Sequence, residues 1–81
     1  DIAAQTRQSL ANIQNILASE GLTMANVVKT TVLLKNISDF GAMNEVYASF
    51  FESDCPARAA FEVAALPKAA LVEIEAIAYA E

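Results

Sequence analysis

Apolar residues recur at three- and four-residue steps through the first twenty positions of the chain. This spacing predicts an amphipathic helix from Asp1 to Glu20, because positions three and four apart share one helix face. Gly21 follows directly and predicts a left-handed end to the helix. The apolar side chains expected to face the core are Ala3, Leu10, Ile13 and Leu17, with Ile16 beside them.

From Val27 to Lys35 the pattern changes to a β-branched alternation with a period of two, which predicts a strand. A second helix is expected to begin after Ser38, the best candidate for its N-cap, and to end near residues 52–54. The strand is predicted to turn one set of side chains to a common side, namely Val28, Thr30, Val32 and Leu34. The second helix is predicted to carry one apolar stripe, formed by Phe40, Met43, Tyr47 and Phe50 or Phe51.

Two further strands complete the pattern, from Ala59 to Val63 and from Leu71 to Tyr79, with a break at Leu66-Pro67-Lys68. The predicted order is therefore helix, strand, helix, strand, strand, with a crossover through the second helix. The last strand is the most apolar and is expected to be central, with a neighbour on each side. One strand is then missing, or is supplied by another molecule.

Composition narrows the class of protein. The chain has 81 residues, of which 56% are hydrophobic and 19% charged, which is more apolar surface than so small a monomer buries. We therefore expect an oligomer. The net charge of −5 disfavours nucleic-acid binding, and no segment predicts a membrane span or a signal sequence. One cysteine and no histidine fit a metal-free protein of the reducing cytoplasm.

Two charged residues stand out against this apolar background. Arg58 is one of only five basic residues and lies at the start of a strand of small side chains. Glu73 lies inside the last, strongly apolar strand, followed two positions later by Glu75. Charged groups in such strands need partners or water. We therefore take Arg58 and Glu73 as the candidate chemistry.

Four segments carry a family resemblance. They read QTRQSLANIQNILASEGL, VVKTTVLLKNISDF, MNEVYASFF and PARAAFEVAALPKAALVEIEAIA. Together they resemble the RidA/YjgF family of enamine/imine deaminases, whose members carry a similar Pro-Ala-Arg strand, Leu-Pro-Lys turn and Glu-Ile-Glu strand. The likeness covers all 81 residues but only the carboxyl-terminal two-thirds of a family domain. Ala60 replaces a frequent cysteine, and Ala65 replaces a frequent arginine.

The resemblance implies a chorismate-mutase-like α/β (α+β) fold, with two helices on one face of a mixed sheet. It also implies a barrel-like homotrimer with ligand sites in the clefts between subunits. The implied activity is hydrolysis of reactive 2-imino or enamine acids to 2-keto acids and ammonia, without metal or organic cofactor. Residues 1–81 are expected to form a single domain.

The resemblance also implies roles for particular residues. Arg58 would hold the substrate carboxylate, because a guanidinium offers two parallel hydrogen bonds. Glu73 would position the attacking water. Ala60 would contribute only its backbone, and Asn44 and Tyr47 are secondary candidates.

Each assignment has a structural alternative. In the alternative for Arg58, the guanidinium forms a structural ion pair with Glu62 or Glu75. In the alternative for Glu73, the carboxylate is a solvated group on an alternating strand. For Asn44 and Tyr47, a helix-cap contact and a core aromatic are the favoured alternatives.

Other functions stay open at this level. A non-catalytic trimer that binds a carboxylate metabolite would use the same cleft, and a ribonuclease or translation inhibitor is disfavoured by the acidic charge. The family's usual amino-terminal hairpin and strand have no counterpart in these 81 residues. We expect a proteolysed or incompletely described family member, a deliberate fragment, or a chain completed by another polypeptide, and we favour the first.

Overall fold

The computed structural model describes residues 1–51 and 55–80, and the order of elements predicted from the sequence is confirmed. They are α1 (Ile2–Ser19), β1 (Val27–Leu34), α2 (Phe40–Ser49), β2 (Ala57–Glu62) and β3 (Val72–Ala78). Three short 3-10 turns lie between them, at Met24–Asn26, Ile37–Asp39 and Pro67–Ala69. Within the described residues, neither helix has the length and apolar content required to cross a membrane.

The three strands form one mixed sheet in the order β2-β1-β3. β1 pairs parallel with β2 and antiparallel with β3, so α2 is the crossover that the pattern predicts. The prediction that the last strand is central is wrong for the described part of the chain, where β3 pairs only with β1. The apolar character of β3 misled the prediction, because Val72 and Ile74 are buried whereas Ile77 lies exposed on the other face.

Both helices pack on the same face of the sheet, as expected. Leu10 and Leu17 of α1 and Met43 and Tyr47 of α2 join the inward side chains of the strands in one buried cluster. Burying these side chains supplies the main stabilisation, about 1.5–3 kcal/mol for each large one. The strand members of this cluster are Val27, Val32, Leu34, Val72 and Ile74.

One polar residue and one glycine set the two ends of α1. Asp1 caps the helix by accepting a hydrogen bond from the Ala4 amide at 2.8 Å. At the other end Gly21 has φ +73°, which confirms the predicted left-handed stop. The Leu22 amide donates to the Leu17 carbonyl and the Gly21 amide to the Ala18 carbonyl, which is a Schellman motif.

The buried stripe of α1 differs from the predicted one at two positions. Ile16 is 66% exposed, whereas Thr6 is completely buried. Thr6, Leu10, Ile13 and Leu17 follow steps of four, three and four along one line of the helix, and Ile16 lies off that line. Hydrophobicity alone ranked Ile16 above Thr6, but the position on the helix decides which is buried.

A bulge at the start of β1 changes the predicted alternation. The register with β3 shifts between Val27 and Lys29, so Val27 is buried and Val28 is exposed. From Thr30 onward the alternation is as predicted. The side chains of Thr30, Val32 and Leu34 therefore face the helices.

The start of α2 is set by a residue far away in the chain. Ser38 is not the N-cap, because it lies inside the Ile37–Asp39 turn and α2 begins at Phe40. That turn is held by Glu62 of β2, whose carboxylate accepts a hydrogen bond from the Ile37 amide at 2.8 Å. The end predicted for this helix, at residues 52–54, lies outside the described residues.

The break between β2 and β3 is confirmed as a turn with unusual backbone angles. Lys68 has φ 57° and Ala69 has φ 55°, a left-handed conformation that side chains disfavour. Lys35 anchors the preceding segment by donating to the Ala64 carbonyl at 3.0 Å. The turn brings β3 back to the far side of β1.

The face of the sheet opposite the helices, here called the open face, mixes charged and apolar side chains. Phe61 is 48% exposed on it and Ile77 is 60% exposed. Its members on the three strands are Lys29, Thr31, Leu33, Ala57, Ala59, Phe61, Glu73, Glu75 and Ile77.

Candidate functional site

Arg58 lies on the helix-covered face of β2, next to Thr30 of β1 in the parallel register. Its guanidinium donates a hydrogen bond to Oδ1 of Asn44 at 2.5 Å. It also lies over two aromatic rings, 4.7 Å from the centroid of Tyr47 and 5.1 Å from that of Phe40. These distances are within the range of cation–π attraction.

The three residues that contact Arg58 form a stripe on α2. Phe40, Asn44 and Tyr47 are spaced four and three residues apart, so they lie above one another on one helix face. Asn44 and Tyr47 were predicted as secondary site residues, whereas Phe40 was predicted only in the apolar stripe of the helix. The same spacing is a signal that would have added Phe40 to the site.

The structure decides between some of the alternatives for these side chains. Asn44 is not a helix cap; it is half-buried and accepts the hydrogen bond from Arg58. Tyr47 is a core aromatic, 4% exposed, with its ring centroid 4.9 Å from that of Phe51. It nevertheless carries the Arg58 guanidinium on its face, so the structural and site roles coincide.

Neither Glu62 nor Glu75, the two carboxylates proposed as ion-pair partners, pairs with Arg58. Glu62 accepts from the Ile37 amide, and Glu75 lies on the open face of the sheet. Within residues 1–51 and 55–80, the contacts of Arg58 are all with uncharged groups. The Arg58 side chain is exposed.

The backbone of Ala60 faces the edge of β2 that pairs with no other strand of residues 1–51 and 55–80, here called the free edge. The Val63 amide bonds to the Leu34 carbonyl, which turns the backbone groups of odd-numbered residues towards β1. Backbone groups alternate along a strand, so those of Arg58 and Ala60 point away from β1. The Ala60 side chain is half-buried against the core. An anion at this edge would therefore meet a backbone amide next to the guanidinium.

Glu73 lies elsewhere. It is exposed on the open face of β3, opposite Leu33 of β1, which in turn neighbours Phe61 of β2. β1 lies between the strands of Glu73 and Arg58, and their partners on β1, Leu33 and Thr30, are three residues apart. From the usual strand spacing and rise per residue, the Cα atoms of Glu73 and Arg58 are about 14 Å apart. The two side chains also point to opposite faces. A single chain therefore does not bring Arg58 and Glu73 together around one small molecule.

The open face holds a shallow depression of about 300 Å³. It is lined by Lys29, Thr31, Glu75, Ala76 and Ile77, and by none of the predicted site residues. Within the described residues there is no group of three His, Cys, Asp or Glu side chains placed to hold a metal ion.

Comparison with known proteins identifies the family. A model of the endoribonuclease L-PSP family matches residues 1–80. The chain belongs to this family. It is also 53% identical over 77 residues to the 2-iminobutanoate/2-iminopropanoate deaminase of Rattus norvegicus, a match that covers 95% of this chain and 56% of the rat protein. The resemblance to the RidA/YjgF family of deaminases is thereby confirmed.

Solved structures of family members have the same fold. The YjgF gene product from E. coli matches with a TM-score of 0.92 at 48% identity, over 96% of this chain and 64% of that one. E. coli TdcF, solved with bound serine, matches with a TM-score of 0.95 at 39% identity, over 100% of this chain and 66% of that one. The chain thus spans between about half and two-thirds of the length of these family members.

Proposed function

We propose that the protein hydrolyses small 2-imino or enamine acids to 2-keto acids and ammonia. The observation that carries the proposal is Arg58, held by α2 at the free edge of β2 with its charge available. A planar guanidinium binds a carboxylate through two parallel hydrogen bonds, and the Ala60 amide offers a third donor at the same edge. The name of the rat relative supports the reaction class.

The chemistry needs a water molecule and a base. Water adds to C2 of the protonated imine, and the carbinolamine that forms releases ammonium as the C2–N bond breaks and the C2 carbonyl forms. We assign Glu73 to hold the water and accept its proton. No electron is transferred, so the reaction requires no redox cofactor. Positioning contributes most of the acceleration, since imines hydrolyse readily.

Arg58 and Glu73 act together only if they come from different copies of the chain. They lie on opposite faces of one sheet, about 14 Å apart at their Cα atoms. We therefore propose a homotrimer with each site in the cleft between two subunits, completed by one copy's Arg58 and another copy's Glu73. The exposed Phe61 and Ile77 on the open face support an assembly that covers them.

Mixed oligomers test this arrangement. Arg58→Ala and Glu73→Gln should each abolish most hydrolysis of 2-iminobutanoate, generated in situ by an amino-acid oxidase and followed as 2-ketobutanoate. When the two variants are refolded together in equal amounts, about a quarter of the sites in a random trimer regain both residues. Glu75→Gln is the matched control and should retain activity.

The outcomes separate the parts of the proposal. Recovery in the mixture supports a site shared by two copies. No recovery, with an active parent and intact oligomers, would mean that the two residues do not share a site between chains. A parent protein without any turnover would exclude the deaminase function.

A second candidate function is carboxylate binding without turnover. The serine bound in E. coli TdcF favours it, because serine carries a carboxylate and is not an imine. Binding of serine or 2-ketobutanoate that is lost in Arg58→Ala and kept in Glu73→Gln, in a protein without deaminase activity, would support this function. A steep salt dependence of RNA affinity would instead support the ribonuclease alternative.

A further inference from the structure

Thr30 is a buried hydroxyl directly beside Arg58. The two residues are register partners on β1 and β2 and turn to the same face of the sheet. Thr30 is only 1% exposed, and its Oγ1 lies 2.7 Å from the Tyr47 hydroxyl. Tyr47 in turn places its ring under the guanidinium, with 4.7 Å between the ring centroid and Cζ of Arg58.

The Thr30–Tyr47 hydrogen bond is costly to break. Both residues are at least 96% buried, and the two hydroxyls share one hydrogen bond in which one donates and the other accepts. A buried hydroxyl without a partner costs more than the bond itself contributes, so the pair holds the hydroxyl end of the Tyr47 ring in place and resists tilting of the ring. Tyr47 also packs on Phe51, with 4.9 Å between the ring centroids and an interplanar angle of 40°.

The orientation of the Tyr47 ring matters because a guanidinium is planar. Tyr47 and Phe40 offer their faces to Arg58, and Asn44 accepts one of its N–H groups. These contacts fix which edge of the guanidinium remains available for a carboxylate. We expect a tilt of the ring to shift the guanidinium and so to change which of its N–H groups can bind a carboxylate near the Ala60 amide.

We infer that Thr30 is a positioning residue for the carboxylate site. It acts through the Tyr47 hydroxyl on the plane of the Arg58 guanidinium, and it touches no substrate itself. The inference rests on the proposed role of Arg58 in carboxylate binding. It adds a residue that the sequence analysis treated only as part of a strand.

Thr30→Val removes the hydroxyl at nearly constant shape, whereas Thr30→Ser keeps it. We measure the affinity for 2-ketobutanoate by calorimetry, and KM and kcat for 2-iminobutanoate. Thr30→Val should weaken 2-ketobutanoate binding and raise KM by about three- to tenfold, the range expected when one buried hydrogen bond is lost. Thr30→Ser should stay within about twofold of the parent, because its hydroxyl still reaches Tyr47.

A mutant cycle tests the route through Tyr47. Tyr47→Phe keeps the ring and removes the same hydrogen bond, so we expect the Thr30→Val/Tyr47→Phe double variant to bind no more weakly than the weaker single variant. Val46→Ala is the control for general loss of stability. Val46 is buried on the same helix and is not among the residues that hydrogen-bond to Arg58 or stack on it, so this variant should lower the urea midpoint without changing 2-ketobutanoate affinity.

Two results would overturn the inference. One is a Thr30→Val protein that binds 2-ketobutanoate as tightly as the parent while losing stability, which would make Thr30 purely structural. The other is an equal loss of affinity in Thr30→Val and Thr30→Ser, which would exclude the hydroxyl. A parent that binds 2-ketobutanoate but hydrolyses no imine would end the deaminase proposal and leave this test intact.

Discussion

Asn44→Asp replaces an amide with a carboxylate of nearly the same shape beside Arg58. In the parent, Oδ1 of Asn44 accepts a hydrogen bond from the guanidinium, and the pair keeps a net charge of +1. An aspartate at this position accepts the same bond and neutralises the pair. The substitution therefore changes the charge of the site while preserving its hydrogen bonding.

The expected loss of ligand affinity follows from the distance and the exposure. Two unit charges 4 Å apart interact by about 1 kcal/mol in water and about 4 kcal/mol near a protein surface. Arg58 is exposed, so we expect the new carboxylate to disfavour a bound carboxylate by about 1–2 kcal/mol. That corresponds to about 5- to 30-fold weaker binding of 2-ketobutanoate.

Stability should change in the opposite direction. An exposed ion pair contributes about 0.2–1 kcal/mol, so Asn44→Asp should raise the free energy of unfolding slightly. We measure it by urea denaturation at one fixed protein concentration, because an oligomer's apparent stability depends on concentration. Asn44→Ala, which loses the hydrogen bond without adding charge, should lower both stability and affinity.

Salt provides an internal check. At 1 M ionic strength the Debye length falls to about 3 Å, so the difference in affinity between parent and Asn44→Asp should shrink. Equal affinity of parent and variant at low salt would refute the reasoning, because Arg58 would then not be the group that binds the carboxylate. Equal losses in Asn44→Asp and Asn44→Ala would show that geometry, and not charge, is the important property.

Three stability predictions concern other parts of the chain. The fully buried Thr6 hydroxyl has no hydrogen-bond partner among the described residues, so Thr6→Val should raise the free energy of unfolding by about 1 kcal/mol. Thr30→Val, which removes a hydroxyl that has a partner, should instead lower the free energy of unfolding. A lower free energy of unfolding in Thr6→Val would indicate that the Thr6 hydroxyl has a partner. Ala69→Gly should raise the free energy of unfolding by about 0.5–1 kcal/mol, because Ala69 has φ 55° and glycine adopts this angle without strain. An unchanged urea midpoint would show that the Ala69 backbone is not strained. The Asn26 side chain donates a hydrogen bond to the Tyr79 carbonyl. Asn26→Ala should therefore lower the free energy of unfolding by about 1 kcal/mol and speed hydrogen exchange of the Tyr79 amide. Unchanged exchange of that amide would refute this role of Asn26.

Most of the fold was predictable because its signals are local. The three- and four-residue steps of α1, the alternation of β1 and the glycine at position 21 each act within a few residues, and the structure confirms the elements they predict. The errors arise where distant residues decide. The start of α2 depends on Glu62, twenty-five positions beyond Ile37, and no pattern near Ser38 contains that information.

The individual residues of the candidate site could be predicted from the sequence, but their positions relative to one another could not. Motif resemblance selected Arg58 and Glu73, yet their placement on opposite faces depends on the register of two strands against β1. Helical spacing accounts for Phe40 and Tyr47, whereas the contact between Tyr47 and Thr30 requires α2 to pack over β1. Such relations exist only after the chain has folded.

The placement of Arg58 and Glu73 on opposite faces gives the two residues separate sets of neighbours. Arg58 is surrounded by α2, so its neighbours are constrained by the packing of the core. Glu73 lies on the open face, where its partner on β1 is Leu33 and neither α1 nor α2 packs over it. Under the proposed roles, a substitution beside Glu73 would alter hydrolysis and leave the contacts that hold Arg58 unchanged. Carboxylate binding and turnover could then be changed separately, each from its own side of the sheet.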